Sequence, residues 1–254
     1  MITTTKIENS PKKTPLKKFL AQNPFPYPNT LGFFYREKMR AIHRIAPDLY
    51  FDKILEIGGG RGGLTALLYS SSHITNLDCN PKFADANCNR QENVTFICGD
   101  ATALPFADSS FAAVTMFDVL EHIQDDRKAM SEALRVLKPG GFLFLSTPNE
   151  NWRFPYYGFM RSLCPPESKI MAEWGHVRRG YTLEELNDLV GFSCQQYATF
   201  INSFTVLCHD VAFSNLAESK KRIINKLISP FTWLGYYLHR SQNEGTETVH
   251  LWQI

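Results

Sequence analysis

A chain of 254 residues that is 44% hydrophobic and 20% charged can bury a sizeable core, and a formal net charge of +2 provides no global field for nucleic acid or an anionic surface. Its six cysteines, at 79, 88, 98, 164, 194 and 208, form no Cys-x-x-Cys pair, which argues against a structural zinc site and leads us to expect no metal, reduced thiols and a cytoplasmic setting. No apolar run reaches the ~18 residues of a membrane span, and the polar start MITTTKIENS lacks the core of a signal peptide.

Residues 1–18 are polar and lysine-rich, and NPFPYPNT (23–30) holds three prolines, so 1–30 is expected to be a flexible tail. LGFFYREKMRAIHRI (31–45) has helical periodicity and an apolar face, fit to pack on the following domain or to cap a cleft. From Lys53 an alternation begins. KILEI reads as a strand, 61–69 as a helix, HITNLD (73–78) as a second strand, and a weak helix follows Pro81. VTFICGD (94–100) and FAAVTMF (111–117) are the third and fourth strands. A helix over 125–137 stops at Lys138-Pro139-Gly140-Gly141, and FLFLST (142–147) is the fifth strand. The rhythm predicts a parallel sheet wrapped by helices.

The alternation breaks at 148–180, a segment rich in aromatics, prolines and arginines and too long for an ordinary connection. Thr182 and Glu185 then form a capping-box pattern before a helix over 182–190. A strand near 194–202, a mostly helical 204–240, and TETVHLWQI, which alternates like an edge strand, complete the chain. The basic-then-aromatic stretch KKRIINKLISPFTWLGYYLHR (220–240) has two readings: a helix pair with a solvated basic face, or a surface that touches membrane or a lipid-like acceptor.

The densest signal is ILEIGGGRGGLT (54–65), a strand that runs directly into glycines. Glycine costs backbone entropy, so such a cluster needs a reason. A glycine turn between strand and helix lets backbone amides approach a ligand closely. The run satisfies both Gly-x-Gly-x-x-Gly and Glu-x-Gly-x-Gly-x-Gly, so by itself it leaves the nucleotide cofactor open. Two acids narrow the choice. Asp78 ends the second strand twenty positions after Gly58, where a carboxylate can accept from a ribose diol. Asp100 ends the third strand, where it can accept from an exocyclic amine or cap a turn.

ILEIGGGRG, LDCN, GDATALPF, VLEHI and LKPGG, in that order over roughly residues 50–150, resemble the motifs of the class I S-adenosylmethionine-dependent methyltransferases. The set is most similar to the small-molecule branch that includes ubiquinone and sterol methyltransferases. The resemblance implies a Rossmann-like, doubly wound α/β fold with a seven-stranded, mostly parallel sheet. Helical caps would lie at 31–50, 148–180 and 204–240 of a domain spanning 31–254. It implies S-adenosylmethionine held by Gly58, Gly59, Gly60 and Gly62, with Glu56 supporting the ammonium group. Asp78 and its neighbour Cys79 would meet the ribose and adenine edge, Asp100 and Ala101 the adenine amine, and the Phe117 carbonyl the methionine end, with His122 close by. Cys79 stands where the family often has a bulky aliphatic residue, so adenine packing would be thinner on that side or be supplied by Leu104.

The implied reaction moves a methyl group to a small, partly apolar acceptor, oxygen first and nitrogen second. His122 and His176 are the candidate bases for a hydroxyl acceptor. Trp152, Tyr156, Tyr157, His176, Arg178 and Tyr181 are the candidate acceptor contacts, and Arg178 with Arg179 could grip a carboxylate or phosphate. Phe154 and Phe159 add to the same aromatic group, which could equally be core. The alternatives are a non-catalytic protein that binds S-adenosylmethionine and a methyltransferase acting on a peptide or other macromolecule. A nicotinamide oxidoreductase fits poorly, because no Tyr-x-x-x-Lys pair is present. Nucleic-acid methylation fits poorly too: FDVLEH replaces an Asn-Pro-Pro-Tyr turn, and the basic footprint is missing.

Overall fold

The computed structural model describes residues 13–25, 31–240 and 244–254. Five parallel strands form the first part of the sheet: β1 (Lys53–Ile57), β2 (His73–Asp78), β3 (Val94–Cys98), β4 (Phe111–Phe117) and β5 (Leu137–Pro148). β6 (Gln196–Phe200) and β7 (Glu247–Gln253) complete a seven-stranded sheet in the order β3-β2-β1-β4-β5-β7-β6. The order reverses between β1 and β4, and a ligand crevice opens at such a point, beyond the carboxyl ends of the strands.

Period-two alternation divides the apolar side chains between two layers. Ile54, Ala113, Phe144, Val249 and Leu251 join one core with α2 (Leu31–Ile45) and α3 (Leu64–Leu68). Leu55, Val114, Leu143, Leu145 and Trp252 join the other with α4 (Asp126–Val136) and α6 (Leu183–Val190). Helices thus cover both faces, as a mostly parallel sheet requires. The sheet and its wrapping match the expected doubly wound fold.

Several expectations need correction. TETVHLWQI is not an edge: β7 lies between β5 and β6, antiparallel to both, with Val249, Leu251 and Trp252 buried, and β6 is the edge. A buried antiparallel strand whose two faces both carry core can still alternate through its Thr and His. The expected tail is too long. Leu16–Ala21 forms α1, Phe19 is fully buried, and the Thr14 N–H donates to the Leu68 carbonyl at 2.8 Å. The rest of that tail, 1–12 and 26–30, lies outside the described residues. α3 begins three residues later than expected, because the glycines belong to the turn and Gly63 at φ 53° is its N-cap. The weak helix after Pro81 is a pair of 3-10 turns, Pro81–Asp85 and Asn87–Arg90. Within the irregular segment, Pro166 and the left-handed Gly175 bracket α5 (Glu167–Trp174). Residues 206–238 form α7 (Val206–Ala212) and α8 (Glu218–Leu238).

Candidate active site

The glycine turn is built by backbone that only glycine adopts freely. Gly58 has φ 70° and Gly60 φ 50°, and a Cβ on Gly58 would meet Val119 Cγ2 at 2.4 Å. The turn hangs from β2. The Gly59 N–H donates to Asn76 Oδ1 at 3.2 Å and the Gly60 N–H to Asp78 Oδ2 at 3.1 Å. Asn76 is held in turn by Asn89, whose Nδ2 donates to the Gly60 carbonyl at 3.2 Å. Asp78 also accepts from the Asn80 N–H at 2.9 Å. It therefore sets the shape of the loop and has acceptor capacity left over.

A cavity of about 240 Å³ opens over this turn, lined by Tyr35, Lys38, Glu56, Gly58, Gly59, Gly62 and Phe117 among others. Glu56 is buried, and its Oε1 accepts from the Thr65 N–H at 3.2 Å while its Oε2 has no hydrogen-bond partner. Burial raises its carboxyl to about 7, against hydrogen bonds from Thr65 and Leu64 that pull the other way. An orphaned carboxylate oxygen beside closely packed glycine backbone fits a ligand with an ammonium group. Asp78, Cys79, Asp100 and Ala101 are not among the residues lining this cavity; Asp100 and Cys79 are exposed, and one Asp100 oxygen accepts from the Thr102 N–H at 2.8 Å, a turn cap. Ala101 is half-buried beside it. Leu104 lies buried in the core, so it is poorly placed to stack on adenine.

A second cavity, about 340 Å³, opens past the end of β4 and is lined by Asp118, Glu121, His122, Pro148, Trp174, His176 and Glu247. His122 ends a 3-10 turn over Leu120–His122, and His176 follows the C-cap of α5. Their rings meet edge to face with centroids 4.7 Å apart. The Val177 N–H donates to the Glu121 carbonyl at 2.9 Å and holds this arm of the cap over the turn. Burial lowers both histidines, and the neighbouring His122 helps bring His176 to about 4. Both are thus neutral near pH 7, as a base must be.

The acids around the histidines come from distant parts of the chain. Asp118, in a left-handed conformation at φ 54°, accepts from Ser146 Oγ at 2.5 Å and pairs with Lys38 of α2. Burial raises Glu121 to about 7 and Glu247 to about 8, while Lys38 pulls both down. Glu121 Oε2 and His176 Nδ1 are buried without partners. Ligand atoms of Glu121, His122 and His176 lie within 4.8 Å of one another, a set that could hold a cation although no cysteine pair announces it.

Five of the six expected acceptor contacts do not line this cavity. Arg178 pairs with Asp126 and donates to Tyr181 Oη at 2.5 Å and to the Ile123 and Gln124 carbonyls at 2.9 and 3.1 Å. Tyr181 is buried, donates to Asp126 Oδ2 at 2.9 Å, and has its phenol raised by burial to about 12. Both are committed to locking the cap onto the start of α4. Arg179 pairs with Glu167 at 2.7 Å. The backbones of Tyr156 and Tyr157 donate to Asp210 at 3.0 Å, and Tyr156 lines a different cavity with Arg153 and Tyr197. Trp152 is buried in a cap cluster with Phe154, Met160 and Ile170, touching the site through its ring contacts with His176 and Trp174, 5.9 and 6.1 Å between centroids. Trp174, not Trp152, lines the cavity.

Comparison with known proteins bears on the domain and its fold. Residues 55–145 match the family described as methyltransferase domain. A demethylmenaquinone methyltransferase of Clavibacter sepedonicus is 33% identical over 129 residues, 48% of this chain and 53% of that protein. The chain spans about half the length of the curated relatives it matches. Among solved structures, the [4+2]-cyclase SpnF superposes with a TM-score of 0.58 at 17% identity, covering 94% of this chain and 92% of that one. The N-methyltransferase NodS of Bradyrhizobium japonicum, solved with S-adenosyl-L-homocysteine, gives a TM-score of 0.51 at 19% identity over 74% of this chain and 89% of that one. Such identities speak for the fold alone, and the cyclase shows that this fold carries other chemistry. The ordered motifs and the strand order agree with the methyltransferase-domain match, which covers residues 55–145.

Proposed function

We propose that the protein transfers the methyl group of S-adenosylmethionine to a small, partly apolar acceptor held under the cap beside His122 and His176. The observation that carries this reading is the adjacency of two cavities. One lies over the glycine turn and Glu56, the other under Trp174 and the histidines, and Phe117 and Asp118 at the end of β4 line one each. The cofactor supplies an activated methyl group, so the protein's task is alignment and exclusion of water.

In this reading Glu56 takes the ammonium group of the cofactor on its unpartnered oxygen, and Asp78 takes the ribose hydroxyls on its remaining lone pairs. Asp100 reaches the adenine amine from beyond the end of β3. α2 closes one side with Tyr35 and Lys38, and α5 closes the other with Trp174. His176, neutral and facing His122, accepts the proton of a hydroxyl acceptor as the new bond forms. Relatives named for menaquinone and ubiquinone synthesis support a quinol-like acceptor, which is aromatic, apolar and carries hydroxyls. Oxygen is the first choice of acceptor atom and nitrogen the second.

The test uses cofactor labelled on its methyl group, incubated with the protein and with separated polar and organic-soluble metabolite fractions. Label in a small organic-soluble compound is the expected result. Label confined to precipitated protein or RNA would reassign the substrate to a macromolecule.

A further inference from the structure

α8 carries a continuous apolar stripe on its outer face. Ile223, Leu227, Phe231, Leu234, Tyr237 and Leu238 are each between 52% and 71% exposed, and their spacing puts them within about a third of the helix circumference. The opposite face cannot trade places with it. Asn225, Thr232, Gly235 and Tyr236 are buried, Asn202 Nδ2 donates to the Gly235 carbonyl at 3.0 Å, and an Arg40 guanidinium N–H donates to the Tyr236 carbonyl at 2.5 Å. Phe204, 60% exposed, widens the patch where it packs against Gly235.

The charge beside the stripe has one sign. Lys220, Arg222 and Lys226 are exposed on the first half of the helix, and its single acid, Glu218, is paired with Lys221 at 2.9 Å. A second copy bringing the same face would offer these bases no acid from its stripe, since Glu218 is the only acid of the helix and is already paired. An anionic bilayer is complementary on both counts, because it accepts the apolar stripe at the acyl boundary and the bases among its headgroups. No helix among the described residues is long and apolar enough to cross a membrane, so α8 would lie in the interface plane.

We propose that α8 is an interfacial docking helix, seating the protein on an anionic lipid surface through its exposed stripe and its N-terminal bases. The assignment rests on α8 alone and stands whatever the acceptor is. The full chain is floated with vesicles of equal parts phosphatidylglycerol and phosphatidylcholine, and with vesicles of phosphatidylcholine alone. It should float with the first at low salt and be released by high salt. The triple variant Lys220→Glu, Arg222→Glu, Lys226→Glu should bind about a hundredfold more weakly, since each base is worth several-fold. Leu227→Ser with Leu234→Ser should weaken binding about tenfold or more, and both variants should keep the parent's melting temperature because every changed side chain is exposed. Absence of binding to the anionic vesicles, or binding unchanged in both variants, would overturn the proposal. So would concentration-dependent dimerisation that the Leu227→Ser, Leu234→Ser variant abolishes, since a second copy would then own the stripe.

Discussion

Glu56 is a carboxyl group whose burial costs the folded state unless a cation joins it. Because burial raises it to about 7 from an ordinary 4.5, the folded state holds a proton that the unfolded state has already lost between those values. Stability therefore falls as pH rises through that window, and the cost is complete above it. Glu56→Gln removes the cost: without cofactor the variant should be more stable than the parent at pH 8, on the order of 2–3 kcal/mol, with the difference gone at pH 4. Chemical denaturation at the two pH values checks this, and equal stability at pH 8 would contradict it. The same variant should bind S-adenosylmethionine more weakly. His176 is the mirror case. Lowered to about 4, it gives up its proton on folding between there and 6.5, so its contribution weakens stability as pH falls. His176→Ala should lower kcat by roughly 10²-fold or more with cofactor affinity nearly unchanged; a normal kcat with a raised KM would make it an acceptor contact instead. Glu56, the glycines and His122 could be picked out because each sits in a local motif just past a strand, and His176 because it lies in the polar cluster GHVRRGY. Lys38 and Glu247 were not, since nothing in a linear reading brings residues so far apart to the two neighbouring cavities.

At the scale of elements, the cap is held by commitments that residue type alone does not reveal. Arg178 was read as an anion grip because guanidinium suits carboxylates, and the structure shows it already spent on Asp126, Tyr181 and two carbonyls before α4. Arg178→Lys cannot reproduce that fork of donors. The variant should lose about 2 kcal/mol of stability, read as a lower melting temperature, while KM for an anionic acceptor stays level; a selective rise in KM would restore the substrate role. The capping box at α6 was legible in full, because Thr182 and Glu185 exchange hydrogen bonds with each other's backbone as the pattern implies. Thr182→Ala should cost about 1 kcal/mol in denaturant unfolding. α5 escaped the sequence reading because its eight residues follow two prolines and carry little apolar periodicity.

For the whole molecule, the first five strands and their parallel pairing followed from alternation and turn chemistry, while the place of β7 did not. A strand that pairs antiparallel between β5 and β6 looks locally like any alternating edge, and only the global sheet decides. The same topology shapes the candidate site, since β7 starts beside the end of β5 and so delivers Glu247 to the cavity of the two histidines. It also ties the crevice to both cores, so cofactor binding should raise the melting temperature of the whole chain in one transition. The most direct measurement is calorimetric titration of S-adenosylmethionine into the parent chain and into Asp78→Ala. The account predicts one site per chain in the parent, displaced by S-adenosylhomocysteine and indifferent to NAD, and an affinity at least about tenfold weaker in a variant that has lost both the ribose acceptor and the anchor of the Gly60 N–H. No binding to the folded parent, or equal binding in the two proteins, would contradict it.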